Sequence, residues 1–254
     1  MLAVALLAAG RARRMRGRDK LLEPVEGTPL LRCLAERILA AGTASLAVTL
    51  PPDDRERAEA LKGLALVQLF VPDADEGMAA SIRAAARWAL SLHADGLMIC
   101  PADMPELTSG DFAVLSAAFR KEGPPLRATA SDGKPGHPVV FPALLLPDLL
   151  AVSGDQGARS LLLAHPPQSV ALPAKHATTD LDTPEAQAAM STWRSGAEAR
   201  AAGMDVIVTD HHTPGATLPP ALAVVNPLRG GPDDPQAVLC GAGIAWRLCQ
   251  LLQA

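Results

Sequence analysis

Residues 2–22 read LAVALLAAGRARRMRGRDKLL, an apolar run that breaks at Gly10 and gives way to a dense basic loop. Leu2–Leu7 is apolar at every position, the pattern of a strand buried on both faces. Beyond Gly10 come Arg11, Arg13, Arg14, Arg16, Arg18 and Lys20, all within a short span. A loop leaving a buried strand can turn its backbone N–H groups onto a phosphate while Arg and Lys neutralise the charge. A solvated surface loop has the same composition, so the cluster alone is weak. Its spacing is neither GxGxxG nor GxxxxGK[ST], which disfavours dinucleotide and Walker-type sites.

Working outward, short apolar runs alternate with helical patterns through about residue 190. Pro29–Ala41 reads as a helix, with Thr28 as N-cap, proline in the first turn and Gly42 as the stop. Leu46–Leu50 is a second strand, Asp53–Leu61 a helix and Leu64–Val71 a third strand. Met78–Leu92 is a helix, Gly96–Cys100 a short buried strand, Phe112–Arg120 a helix and Pro138–Phe141 a strand. The alternation predicts an α/β, Rossmann-like three-layer sandwich with a mostly parallel sheet, in which ligands collect at the carboxyl ends of the strands. The pattern changes near Met190–Gly196 and restarts with a helix at Ala197–Ala202, a strand at Asp205–Thr209 and a helix at Val238–Leu252. Domains at 1–192 and 197–254 are expected, the second a short α/β fragment.

Three kinds of segment carry chemistry. Ile99-Cys100-Pro101-Ala102-Asp103-Met104-Pro105 follows a buried strand directly. A carboxylate there, braced by proline on either side, is well placed to hold Mg²⁺ against a triphosphate. Its competing use is to cap the next helix, for which Thr108 and Ser109 are better suited. Asp180-Leu181-Asp182-Thr183-Pro184-Glu185 carries further carboxylates, and two carboxylates far apart in sequence can clamp one hard cation. The same letters spell a helix start, and both uses are compatible. Glu76-Gly77-Met78-Ala79-Ala80-Ser81, Gly136-His137-Pro138 and Gly154-Asp155-Gln156-Gly157-Ala158-Arg159 mark turns at element ends. Capping is the plainer use of Gly77 and Ser81, and a structural role the plainer use of His137.

The chain has 254 residues, 49% of them hydrophobic, and a formal net charge of −4. That balance gives no general pull toward nucleic acid, so nucleic acid is not an expected partner. Cys33, Cys100, Cys240 and Cys249 form no CxxC pair and lie mostly in apolar runs, as reduced thiols do. The apolar opening carries its positive charges after the run, opposite to a secretory signal, and is too short to span a bilayer. A cytoplasmic protein without membrane attachment is expected.

Taken together, LAAGRARRM…DKLL, the Asp103-Met104-Pro105 turn, EGM-x-x-S, GHP, GD-x-GAR and D-L-D-T-P-E resemble, in order, the signature segments of the molybdenum cofactor cytidylyltransferase-like (MobA/MocA-like) nucleotidyltransferases. The resemblance implies that Leu7, Ala8, Ala9 and Gly10 line the nucleotide and that Arg14 and Lys20 hold its phosphates. It implies nucleotide contacts from Gly77 and Ser81, acceptor contacts from His137 and Arg159, and Mg²⁺ held by Asp103 and Asp182. Lys20, Asp103 and Asp182 are then the catalytic set. The implied reaction is attack of the terminal phosphate of molybdopterin on the α-phosphorus of CTP, with pyrophosphate leaving and no covalent enzyme intermediate. Ala9 favours cytidine, because LAAG members of the family tend to use CTP and LAGG members GTP. Nucleotidyl transfer with another base or acceptor, such as GTP or a sugar phosphate, is one alternative, and a molybdoenzyme or its chaperone is a further partner. Arg16 stands where the family often has glycine.

The tail is different. Asp205–Thr209 runs into Asp210, His211 and His212, a cluster suited to a transition metal. With Pro214-Gly215, Val224-Val225-Asn226-Pro227 and Gly241-Ala242-Gly243 it resembles a fragment of the RecJ-like DHH single-strand exonucleases. The upstream aspartates of a two-metal site are missing, so no nuclease activity is expected. Weak, vestigial metal binding at Asp210, His211 and His212, or packing as an appendage, are the two uses left. The other alternative to the transferase reading is a metal- or nucleic-acid-binding DHH module without transferase activity.

Overall fold

The computed structural model describes residues 1–10, 19–25, 27–42, 45–154, 157–180, 207–209 and 223–225. The chain divides into two compact units, Met1–Thr183 and Pro184–Ala254. In the first, β1 (Leu2–Leu7) is followed by the small β2–β3 hairpin (Pro24–Val25, Thr28–Pro29) and α1 (Leu30–Ala40). Next come β4 (Ser45–Leu50), α2 (Arg55–Ala60), β5 (Val67–Phe70), α3 (Met78–Ser91), β6 (Gly96–Pro101) and α4 (Ser109–Ala118). The unit ends with β7 (Leu126–Thr129), β8 (Pro135–Pro142), α5 (Leu146–Leu149), α6 (Arg159–Ala164) and β9 (Gln168–Ala171). Among the described residues of the second unit, β10 (Ile207–Thr209) pairs in parallel with β11 (Ala223–Val225).

Seven strands form one sheet in the order β5-β4-β1-β6-β8-β7-β9. The β4–β5, β1–β4, β1–β6 and β7–β9 pairs are parallel, and β8 is antiparallel to both β6 and β7. The expected mostly parallel α/β sheet is therefore present. Ala3 and Ala5 of β1 share a core with Ala79, Ile82, Ala85, Ala86 and Ala89 of α3, while Val4 and Leu6 on the opposite face are equally buried. Alanine favours the helix, and its small side chain lets α3 lie close on the sheet. α1 contributes Leu30, Leu31, Leu34 and Ile38 to the buried set and contacts α2 and α4.

Several boundaries differ from the sequence reading. Thr28 pairs in the β2–β3 hairpin, and the N-cap of α1 is Pro29, with no side-chain cap hydrogen bond. Proline at that position fixes φ without needing a donor, so the helix starts without a polar cap. α2 is capped by Asp54, whose side chain accepts from the Arg57 N–H. α4 begins earlier than expected because Thr108 and Asp111 form a reciprocal capping box. β7 and β9 were not anticipated: LRAT and QSVA are too short and too mixed to show a period. The helices expected at 197–202 and 238–252 lie outside the described residues.

The turn into β8 is tightly fitted. The Gly136 carbonyl accepts from Arg127 Nε at 3.1 Å, and the His137 N–H donates to the Ala177 carbonyl at 2.8 Å. A Cβ on Gly136 would run into that same Ala177 carbonyl. His137 Nδ1 is buried without a hydrogen-bond partner among the described residues. Burial, and next the charge of Arg127, push its pKa down to about 4, against a smaller upward pull from Asp103. The imidazole is thus neutral in the folded state at pH 7.

Gly136→Ala is expected to destabilise the domain by about 3 kcal/mol or more, since backbone rather than a flexible side chain must move; urea unfolding at pH 7.5 measures this. A pH effect follows from His137. The unfolded imidazole protonates near 6.5 and the folded one only near 4, so its contribution is complete above pH 6.5 and is lost as pH falls to about 4. Across that window wild type should lose stability relative to His137→Gln, by at most roughly 3 kcal/mol. Parallel unfolding curves for the two proteins from pH 8 to pH 4 would contradict this.

Candidate active site

At the end of β1 the chain is held from both sides. The Ala8 N–H donates to the Thr49 carbonyl and lies 3.1 Å from Thr49 Oγ1, and the Leu7 carbonyl accepts from the Ala102 N–H at 3.0 Å. Register pairs Leu7 with Thr49 on one side and with Pro101 on the other, so three strands end level. Ala8 and Ala9 are buried, and Ala9 packs with Val71 and Ala80. Gly10 is exposed, and among the described residues a Cβ there would meet nothing within 4 Å. Ala80 is in the first turn of α3, between Gly77 and Ser81, which places that motif beside the loop. Gly77 is the N-cap of α3 with φ +99°, a conformation glycine adopts at least cost, and Ser81 is buried.

The Asp103 carboxylate emerges just past β6. Lys20 Nζ donates to its Oδ2 at 2.6 Å, both side chains being about four-fifths buried. Because Thr108 caps α4, Asp103 is released from that duty. Arg37 of α1 donates to the Pro105 and Leu107 carbonyls at 2.8 and 2.9 Å and pins the turn that follows. His137 lies at the same edge, two residues before Val139, which pairs with Ile99 of β6. Its electrostatic coupling to Asp103 reflects that proximity.

Arg159 is the first residue of α6 and is exposed. The preceding turn is anchored by Gly157, at φ +54°, against Met78 and Ile82 of α3. The structure thus brings together Leu7, Ala8, Ala9, Gly10, Lys20 and Asp103, with Gly77, Ser81 and His137 along the same edge. Arg14, Asp182, Asp210, His211 and His212 lie outside the described residues.

Two features were not found in the sequence. Arg57 is 3% exposed and binds both ends of the basic loop: Nη1 donates to the Ala8 and Gly10 carbonyls, and Nε and Nη2 to the two Asp19 oxygens. The signal available was slight, an arginine three residues after the cap of a short helix. The second is His176, whose Nδ1 lies 2.9 Å from Oδ2 of the buried Asp111 and ties the segment after β9 to α4.

As for a metal, Asp103 offers a hard oxygen at a strand end. Among the described residues it belongs to no group of three or more His, Cys, Asp or Glu. A carboxylate oxygen at a strand end is the kind of hard ligand that Mg²⁺ takes, and Asp103 fits it.

Comparison with known proteins places this geometry. The MobA-like NTP transferase domain matches residues 4–170. The molybdenum cofactor guanylyltransferase of Cereibacter sphaeroides is 30% identical over 184 residues, covering 71% of this chain and 90% of that protein. The solved homologue from Mycobacterium sp. strain JC1 of the Mycobacterium tuberculosis protein Rv0371c is 26% identical, with a TM-score of 0.66 over 75% of this chain and 96% of that one. The Mycobacterium tuberculosis protein itself, solved as a complex with manganese, shares the fold at 22% identity and a TM-score of 0.58, over 74% of this chain and 96% of that one. A separate likeness is to the single-stranded-DNA-specific exonuclease RecJ of Bacillus subtilis, 44% identical over 54 residues, or 21% of this chain. This chain spans only 7% of that exonuclease's length. With the domain matched over residues 4–170 and 30% identity to the Cereibacter sphaeroides guanylyltransferase over most of both chains, the chain belongs to the MobA-like NTP transferases and is a nucleotidyltransferase of that type.

Proposed function

We propose that residues 1–192 transfer CMP from CTP to the terminal phosphate of molybdopterin, the organic part of the molybdenum cofactor, releasing pyrophosphate with Mg²⁺ bound. The observation that carries this reading is the Lys20–Asp103 contact at 2.6 Å, at the edge where β1 and β6 end. A cation and a carboxylate that meet there can hold the two things a triphosphate needs, a counter-charge and a metal ion. When bound, Mg²⁺ supplies charge neutralisation across the phosphates, and Asp103 with Asp182 would hold it.

The protein's own task is positioning. Leu7, Ala8, Ala9 and Gly10 form the wall against which the nucleotide lies, and Arg14 and Lys20 take phosphate oxygens. Gly77 and Ser81 support the nucleotide, as the packing of Ala80 on Ala9 allows. His137 and Arg159 face the acceptor. An acceptor phosphate oxygen forms a bond to the α-phosphorus, the bond to the β-phosphate bridging oxygen breaks, and the electron pair leaves with pyrophosphate. A neutral His137 can donate or accept a hydrogen bond without adding charge.

Cytidine is the proposed base because the chain carries the LAAG form of the loop, with Ala9 buried against Val71 and Ala80, and LAAG members of the family tend to use CTP. The guanylyltransferase of Cereibacter sphaeroides supports a second reading, GMP transfer from GTP. The product's recipient would be a molybdoenzyme or its chaperone. We assign no nuclease activity to residues 197–254.

The test is pyrophosphate release with Mg²⁺, molybdenum cofactor and each of CTP, GTP, ATP and UTP. Cofactor-dependent release is expected, fastest with CTP, and Asp103→Ala should lower kcat/KM by about a hundredfold or more. Faster release with GTP selects the second reading. No release with any nucleotide refutes the proposal.

A further inference from the structure

The phosphate loop must leave the sheet at Gly10 and return at Asp19, and the described residues show what holds those two points together. It is the Arg57 guanidinium, buried to 3% exposure beneath the loop. Its Nη1 donates to the Ala8 carbonyl at 2.5 Å and to the Gly10 carbonyl at 3.0 Å. Its Nε and Nη2 take Asp19 Oδ2 at 2.6 Å and Oδ1 at 3.0 Å, a two-bond fork that only a planar guanidinium makes. Asp54, the cap of α2, adds a contact at 3.1 Å and fixes the arginine from its own helix.

Two consequences follow from this geometry. Arg57 has its charge matched by two carboxylates and its donors taken by the scaffold, so it is not a phosphate ligand. Since the peptide is trans, turning the Ala8 carbonyl toward Arg57 turns the Ala9 N–H the opposite way, away from the guanidinium. Without the guanidinium, Asp19 would become an uncompensated carboxylate next to a site for a polyanion.

We infer that Arg57 is a positioning residue for nucleotide binding: it closes the base of the phosphate loop by joining the Ala8 and Gly10 carbonyls to Asp19. The inference rests on the proposed nucleotide site but not on the identity of the base or the acceptor. Asp19, as the other half of the clamp, shares the role.

The experiment compares wild type, Arg57→Gln, Arg57→Lys and Asp19→Asn. Three readouts are taken, the first two being KM values for CTP, GTP and the molybdenum cofactor, and equilibrium titration with CTP and GTP in Mg²⁺ without acceptor. The rate of tryptic cleavage within residues 11–18, which hold four arginines before Arg18, is followed with and without nucleotide. Arg57→Gln should weaken nucleotide binding by about tenfold or more, leave the KM for the acceptor unchanged and speed cleavage in the loop. Arg57→Lys should recover part of this, because one ammonium reaches a carboxylate but cannot form the fork. If Arg57→Gln does not fold, Asp19→Asn carries the test, with the same direction and a smaller size. Unchanged nucleotide affinity and unchanged cleavage in a folded variant would overturn the inference, as would a fall in kcat alone with both KM values kept. If wild type binds nucleotide but releases no pyrophosphate, the proposed reaction fails while the binding and cleavage readouts still decide the role of Arg57.

Discussion

β1 is the strand on which the rest of the site is levelled. Its last residue pairs with Thr49 on one side and Pro101 on the other, and the next amide, Ala8 N–H, is taken by Thr49. Because the three strands stop together, the basic loop, the α2 cap and the Asp103 turn start from one line. A slip of one residue in either pairing would exchange the faces of the strand, carrying Ala3 and Ala5 away from α3. The buried alanines and leucines of β1 therefore set the register, and the register sets the distance between Lys20 and Asp103.

A second regularity concerns the arginines. Arg37, Arg57 and Arg83 each donate to backbone carbonyls of loops or turns: Pro105 and Leu107, Ala8 and Gly10, and Val152. Each ties an irregular segment to a helix or strand whose place the core fixes. A guanidinium does this well because its donors are planar, numerous and permanently charged. These arginines hold the scaffold, and Arg83 is bonded also to Asp73 and Glu76.

Much of this was legible in the letters. Leu2–Leu7, Gly96–Cys100 and Met78–Ser91 are long or uniformly apolar enough for their period to show, and Asp103 sits where a strand must end. The order of short motifs carried the family. What escaped was of another kind. β7 and β9 are four residues each, and their strand state comes from pairing with β8 and with each other rather than from propensity. Arg57 and His176 act through partners 38 and 65 positions away, and no local spacing encodes that. Thr28 looked like a cap because nothing in the sequence shows that it pairs in a hairpin.

β8 is the single strand of the seven-stranded sheet that runs against its neighbours. At the edge where the others finish, it begins, and the connection from β7 is a tight reversal over residues 130–134. The connections after β5 and β6 lead into α3 and α4, whose buried residues sit in the core, so packing sets their lengths. A reversal between two paired strands can lengthen or shorten at small entropic cost without disturbing either strand. Residues 130–134 are thus where the sheet best accommodates a change in chain length.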